Sequence, residues 1–188
     1  PFGEHQLTLG RIETISATVS AASTTNPDGD KDIIETGRGA DIVLGGLGGD
    51  IIVTNLDQVG LNDGKDLVIG DHGIIDWVLD EARNDGDASD IDKIESIDTG
   101  LGGDDRITTG SDSDIVIAGF GKDEIYAGQG ASNIVLGDSG IITAASELGG
   151  SDLAVPFGEH QLTLGRIDTI SATISAASPE NLDGDKDI

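Results

Sequence analysis

Glycine and aspartate recur along this chain at a spacing suited to holding a hard cation. In the stretch Gly45-Gly-Leu-Gly-Gly-Asp-Ile-Ile-Val53 the glycines permit positive φ and close approach of the backbone, so peptide carbonyls can converge on one point. Asp50 adds a carboxylate at the end of the turn, and a neighbouring turn can supply the other half of a cage. Ca²⁺ takes about six to eight oxygens at roughly 2.3–2.6 Å, whereas Mg²⁺ demands a stricter octahedron. The chemistry this pattern favours is therefore Ca²⁺ binding.

The pattern keeps a nine-residue register, which requires a regularly winding scaffold. Its aspartate slot falls on Asp32, Asp41 and Asp50, then after an insertion on Asp66. A second series runs Asp92, Asp105, Asp114 and Asp123, and ends on Asn133 after a one-residue slip. Two residues after each stands a large apolar residue: Ile34, Val43, Ile52, Val68, Ile94, Ile107, Val116, Ile125 and Val135. Two residues apart on a strand means one face, so the aspartate row and the apolar row should both point inward. Residues flanking the apolar row should face outward, yet Ile42/Leu44, Leu67/Ile69, Ile115/Ile117 and Ile134/Leu136 are apolar. Successive nonapeptides should alternate between two sheets. In the second series this gives one sheet greasy outside and another that carries Arg106/Thr108 and Glu124/Tyr126. Strands apolar on both faces are buried on both. The expected cover is the chain's own strands 12–22 and 74–79, with a neighbouring copy as the alternative. Ile51 and Val53 also read as an apolar outer pair.

Composition limits the partners. The chain has 36 acidic against 10 basic residues, a formal net charge of −26, and 27 of the acids are Asp. That disfavours a nucleic-acid partner. Two like charges about 4 Å apart cost roughly 1 kcal/mol in water and about 4 at an effective dielectric of 20, so counter-cations are needed. With 36% hydrophobic residues in short Ile/Val/Leu runs, a packed β core is expected rather than disorder. There is no Cys, which excludes disulfides and thiolate metal sites. No apolar stretch approaches the ~18 residues of a membrane-spanning helix, and the residues from Pro1 onward are not expected to act as a charged, apolar, small-residue leader.

Residues 1–33 return at 156–188 with 28 of 33 identical, an offset of 155. Together with the absence of Met and the start at Pro1, this suggests a fragment of a longer tandem array. The period divides into a half-module 1–73 with a leading strand segment and a half-module 74–140 with a leading insertion. Residues 141–188 hold a linker and the start of the next repeat. The halves end alike, in Gly70-Asp-His-Gly73 and Gly137-Asp-Ser-Gly140, each followed by two isoleucines. Thr14–Ala21 alternates apolar and hydroxyl residues as a strand would, and 80–90 and 144–154 read as loops.

Over roughly 28–73 and 92–140 the chain resembles the RTX family, the glycine-aspartate-rich calcium-binding repeats of secreted bacterial toxins, adhesins and exoenzymes. The resemblance implies an all-β fold: a right-handed parallel β-roll or β-solenoid with Ca²⁺ in the turns, here with extra covering strands and in tandem 155-residue modules. It also implies calcium-triggered folding outside the cell and type I secretion. Matched to the motif, the ligands are Asp32, Asp41, Asp50, Asp66, Asp105, Asp114 and Asp123, with carbonyls from Gly37, Gly39, Gly46, Gly48, Gly119 and Gly121. Asn133 lacks the charge, Asp30 and Asp112 stand in glycine slots, and Asp66 and Asp92 lack a complete neighbouring turn.

Catalysis has little support. His5 and His160 are one position in successive copies, and His72 of the GDHG motif is replaced by Ser139 in GDSG. Trp77 and Tyr126 read as packing residues. The leading function is a structural or adhesive extracellular protein: a rod, filament or surface layer of many modules, with copies of itself as partner and a possible cell-surface or matrix attachment. The alternative is the calcium-binding secretion and folding domain of a larger secreted enzyme or toxin.

Overall fold

The computed structural model of the chain describes residues 10–15, 29–55, 64–78, 90–128, 132–148 and 162–170. The protein is all-β, with a single 3-10 turn at Ser146–Leu148 among the described residues. No helix among them is long and apolar enough to cross a membrane.

Among the described residues eight short strands follow the nonapeptide register. They are β2 (Ile33–Glu35), β3 (Ile42–Leu44), β4 (Ile51–Val53), β5 (Leu67–Ile69), β8 (Arg106–Thr108), β9 (Ile115–Ile117), β10 (Glu124–Tyr126) and β11 (Ile134–Leu136). The chain steps between two parallel sheets at every turn. The first sheet has the order β10-β8-β4-β2 and the second β11-β9-β5-β3. Register is kept apolar on apolar: Ile34 sits opposite Ile52, Ile52 opposite Ile107 and Ile107 opposite Ile125. Val43, Val68, Val116 and Val135 line up likewise in the second sheet.

Five further strands form an antiparallel sheet of order β1-β6-β7-β12-β13: β1 (Arg11–Glu13), β6 (Gly73–Asp76), β7 (Lys93–Ser96), β12 (Gly140–Ala144) and β13 (Leu164–Thr169). The described strands thus form two parallel sheets and one antiparallel sheet, where a parallel roll with extra covering strands was expected.

Among the described residues two apolar cores result. The inward row, Val43, Ile52, Val68, Ile107 and Val116, fills the space between the parallel sheets, with Ile34 and Ile125 against it. The outer residues Leu67, Ile69, Ile115, Ile117 and Leu136 of the second sheet pack with Ile75, Trp77, Ile94 and Ile142 of the antiparallel sheet. Ile115 and Ile117 are fully buried. The greasy outer face is covered from within the chain, as its composition required.

Several expectations need correction. Asp92 and Ile94 do not continue the nonapeptide series: Ile94 lies on β7, antiparallel to β6 and β12. No Gly-x-Gly precedes Asp92, so the Asp-x-Ile pair alone carried no turn. Ile51 and Val53 belong to the first sheet, whose outer face carries Arg106, Glu124 and Tyr126, and both are only half-buried. The halves 1–73 and 74–140 share both parallel sheets, because β4 pairs β8 and β5 pairs β9. The expected cover strand 12–22 is represented by β1; residues 16–28 lie outside the described residues, as do most of the loops 80–90 and 144–154. His5 and His160 also lie outside them.

Candidate functional site

The turns stack along two edges. On the first edge they lead into the first sheet and end on Asp32, Asp50, Asp105 and Asp123. On the second they lead into the other sheet and end on Asp41, Asp66, Asp114 and Asn133. Gly39, Gly46, Gly48, Gly119 and Gly121 all have φ between 99° and 143°, the region that favours glycine. Gly37 is not among the positive-φ glycines. Stacking is tight enough to forbid side chains at some positions. A Cβ on Gly121 would lie 2.3 Å from the Gly103 carbonyl oxygen of the turn beneath it.

Each aspartate ties its turn to the next through Oδ1. On the first edge the backbone N–H of Asp32 donates to Asp50 (2.8 Å), that of Asp50 to Asp105 (2.7 Å) and that of Asp105 to Asp123 (2.8 Å). On the second edge Asp41 donates to Asp66 (2.9 Å), Asp66 to Asp114 (3.0 Å) and Asp114 to the Asn133 amide oxygen (3.0 Å). Asn133 keeps the ladder because only a carbonyl-type oxygen is needed there.

The second carboxylate oxygen separates the two edges. On the second edge a threonine five residues back supplies a donor: Thr36 to Asp41 (2.7 Å) and Thr109 to Asp114 (2.6 Å). Across the insertion Thr54 does the same for Asp66 (2.5 Å). On the first edge the corresponding position is Gly45 or Gly70, and the buried Oδ2 atoms of Asp50 and Asp105 have no hydrogen-bond partner. A Cβ on Gly45 would lie 2.7 Å from Asp50 Oδ2 and 2.0 Å from the Gly70 carbonyl oxygen. One on Gly70 would lie 2.2 Å from Asp105 Oδ2 and 2.3 Å from the Ala118 carbonyl oxygen. At both places a carboxylate oxygen and a peptide carbonyl face the space that a side chain would fill. Two such acceptors with no hydrogen-bond donor against the carboxylate oxygen suit a cation.

Asp71 adds a carboxylate that the motif did not assign. It stands in the glycine slot of the first-edge turn and accepts N–H bonds from Gly103 (3.2 Å) and Phe120 (2.5 Å). Its counterpart in GDSG, Asp138, has a buried Oδ1 without a partner. Burial, followed by the neighbouring charge of Asp105, pushes Asp71 up to about 9. Burial, followed by the charges of Asp123, Asp50 and Asp104 and opposed by the Asp50 N–H, leaves Asp105 at about 8. Asp50 is raised chiefly by burial as well. The first edge is thus an acidic row that resists ionisation unless positive charge is supplied. The sequence signal for Asp71 is an aspartate where the motif has its second glycine. The signal for the threonines is Thr rather than Gly at the first position of TGRGAD and TGSDSD.

Among the described residues no three His, Cys, Asp or Glu side chains already converge as a metal-ligand group. A cation between the turns would therefore draw part of its shell from carbonyls. His72 is buried, with Nδ1 3.3 Å from Asp98 Oδ2. Trp77 packs in the core beneath the antiparallel sheet. Tyr126 is exposed on the first sheet, with its hydroxyl on Glu124 and the Arg106 guanidinium 5.5 Å from the ring centre.

Comparison with family models, with curated proteins and with solved structures found no match to this chain.

Proposed function

We propose that this chain is part of a calcium-stabilised structural or adhesive extracellular protein, a parallel β-roll with an added covering sheet, whose tandem array is the working part. The observation that carries the reading is the buried first-edge row in which Asp50 Oδ2 and Asp105 Oδ2 face peptide carbonyls with no donor. Ca²⁺ would be held there by Asp50, Asp105, Asp123 and Asp71 with turn carbonyls, and Asp32 closes the row. Its chemistry is charge neutralisation and cross-bridging of turns, not catalysis.

The second edge is read differently. Asp41, Asp66 and Asp114, together with Gly37 and Gly39, match the calcium motif, but their threonine donors already satisfy the oxygen a cation would use. We assign the ions to the first edge alone. At extracellular millimolar calcium, with affinities on the order of 10⁻⁴–10⁻³ M, the row would close after the unfolded chain is exported. Electron microscopy of the native material with and without a chelator tests the function: filaments or layers that fray in chelator are expected, and a soluble globular enzyme carrying this segment would refute it.

A further inference from the structure

Strand β13 stands 155 residues after β1. Gly165, Arg166, Ile167, Asp168 and Thr169 occupy the places of Gly10, Arg11, Ile12, Glu13 and Thr14. The two strands lie at opposite margins of the antiparallel sheet, β1 on β6 and β13 on β12, so each has one edge with no partner strand among the described residues.

The hydrogen-bonding parity of those open edges is complementary. On β1 the peptide groups turned to β6 are those of Gly10, Ile12 and Thr14: Thr14 N–H donates to the Gly73 carbonyl (3.1 Å) and Trp77 N–H to the Gly10 carbonyl (2.9 Å). On β13 the groups turned to β12 are those of Arg166, Asp168 and Ile170, with Ile170 N–H donating to the Ser139 carbonyl (2.8 Å). Successive peptide groups of a strand point to opposite edges. Ile167 and Thr169 therefore turn theirs to the open edge and are the counterparts of Ile12 and Thr14, which β6 binds; the register shift between Thr143 and Ala144 takes Gly165 out of this alternation. Conversely, Arg11, Glu13 and Ile15 present at the open edge of β1 the set that β12 binds on β13.

The side chains repeat the same logic. A ladder of isoleucines crosses the sheet, Ile12 opposite Ile75, Ile75 opposite Ile94, Ile94 opposite Ile142 and Ile142 opposite Ile167. It begins and ends on the same position of the repeat. Ile167 is 45% exposed, and Val135, the last inward residue of the second sheet, is 44% exposed. Both are positions that a further copy would cover.

We propose that β13 is the joint between copies: its open edge receives the β6 strand of the following 155-residue copy, so that the antiparallel sheet continues unbroken along the array. The inference rests on the reading of the chain as a tandem array and adds how one copy grips the next. Each copy contributes four strands to this sheet, an advance of about 19 Å at ~4.8 Å per strand. Separately folded 155-residue beads would advance roughly 35–40 Å each.

The test compares the present chain with chains lengthened by one and two further periods, all in calcium. Small-angle scattering should give about 19 Å of added length per period. Hydrogen exchange at Ile167 and Thr169 should slow by roughly tenfold or more in the lengthened chains, while Arg166, Asp168 and Ile170 stay protected at every length. Added lengths of roughly 35–40 Å with those two amides still exchanging fast would overturn the joint while leaving the array standing. Lengthened chains that stay unfolded in calcium would overturn the calcium-stabilised reading and the joint with it.

Discussion

Replacing Asp71 by Asn removes a buried ionisable carboxyl and keeps one acceptor oxygen, so one of the N–H groups of Gly103 and Phe120, which use separate oxygens of Asp71, loses its acceptor. Asp71 is raised from 3.8 to about 9 and Asp105 from 3.8 to about 8. A carboxyl raised on folding contributes its full stability below the unfolded value and loses it as pH climbs through the folded one. For both groups the loss begins near pH 4; it ends near pH 8 for Asp105 and near pH 9 for Asp71. The slope is about 1.4 kcal/mol per pH unit and group, so at pH 7 each costs the metal-free fold about 4 kcal/mol. Two such costs, about 8 kcal/mol, compare with roughly 5–15 kcal/mol for the whole stability of a domain. In calcium-stripped buffer the wild-type chain should therefore fold near pH 5 and be largely unfolded at pH 7. Asp71→Asn should recover that ~4 kcal/mol at pH 7 less about 1–3 kcal/mol for the N–H left without an acceptor, a net gain of about 1–3 kcal/mol read by urea titration under far-ultraviolet circular dichroism. Saturating calcium should abolish the difference between pH 5 and pH 7 in the wild type. Equal metal-free stability at the two pH values, with no gain from Asp71→Asn, would refute the argument that the first edge is short of positive charge.

Three other substitutions separate the edges and the faces. Thr109→Val leaves the buried Asp114 Oδ2 without its threonine donor and should destabilise the calcium-loaded protein by about 1–3 kcal/mol, with calcium stoichiometry by isothermal titration unchanged. Ile117→Ala, on the covered outer face, should cost about 2–5 kcal/mol in chemical denaturation. Ile33→Ser, on the open outer face of the first sheet, should stay within about 0.5 kcal/mol.

Nine-residue register was enough to read the two parallel sheets, because it places every second strand on the same side and every inward residue two after an aspartate. The apolar flanks Leu67/Ile69 and Ile115/Ile117 were enough to require a cover, since neither face of such a strand can be left in water. The identity of the cover was harder to read. Strand β7 hides inside an Asp-x-Ile spacing that mimics the repeat, and β12 follows GDSG with only an Ile-Ile pair to mark it. Antiparallel partners so far apart in sequence, β1 with β6 and β7 with β12, are chosen by packing rather than by local pattern. At the site, the positive-φ glycines were legible because the motif leaves them no other role. The threonine donors were not, because nine-residue averaging merges two edges whose first positions differ: Gly45 and Gly70 on one, Thr36, Thr54 and Thr109 on the other. Asp71 was hidden by the same averaging, as an acid in a slot where glycine is expected.

The central claim is that divalent cations complete the first edge. The direct measurement is a calcium titration of the metal-stripped chain at pH 7, followed by circular dichroism and calorimetry together. A transition from largely unfolded to β structure at roughly millimolar calcium, with ion uptake that is lost in the combined Asp50→Asn and Asp105→Asn variant but kept in Asp41→Asn, is the predicted result. Full β structure in chelator at pH 7 with no heat of calcium binding would contradict it.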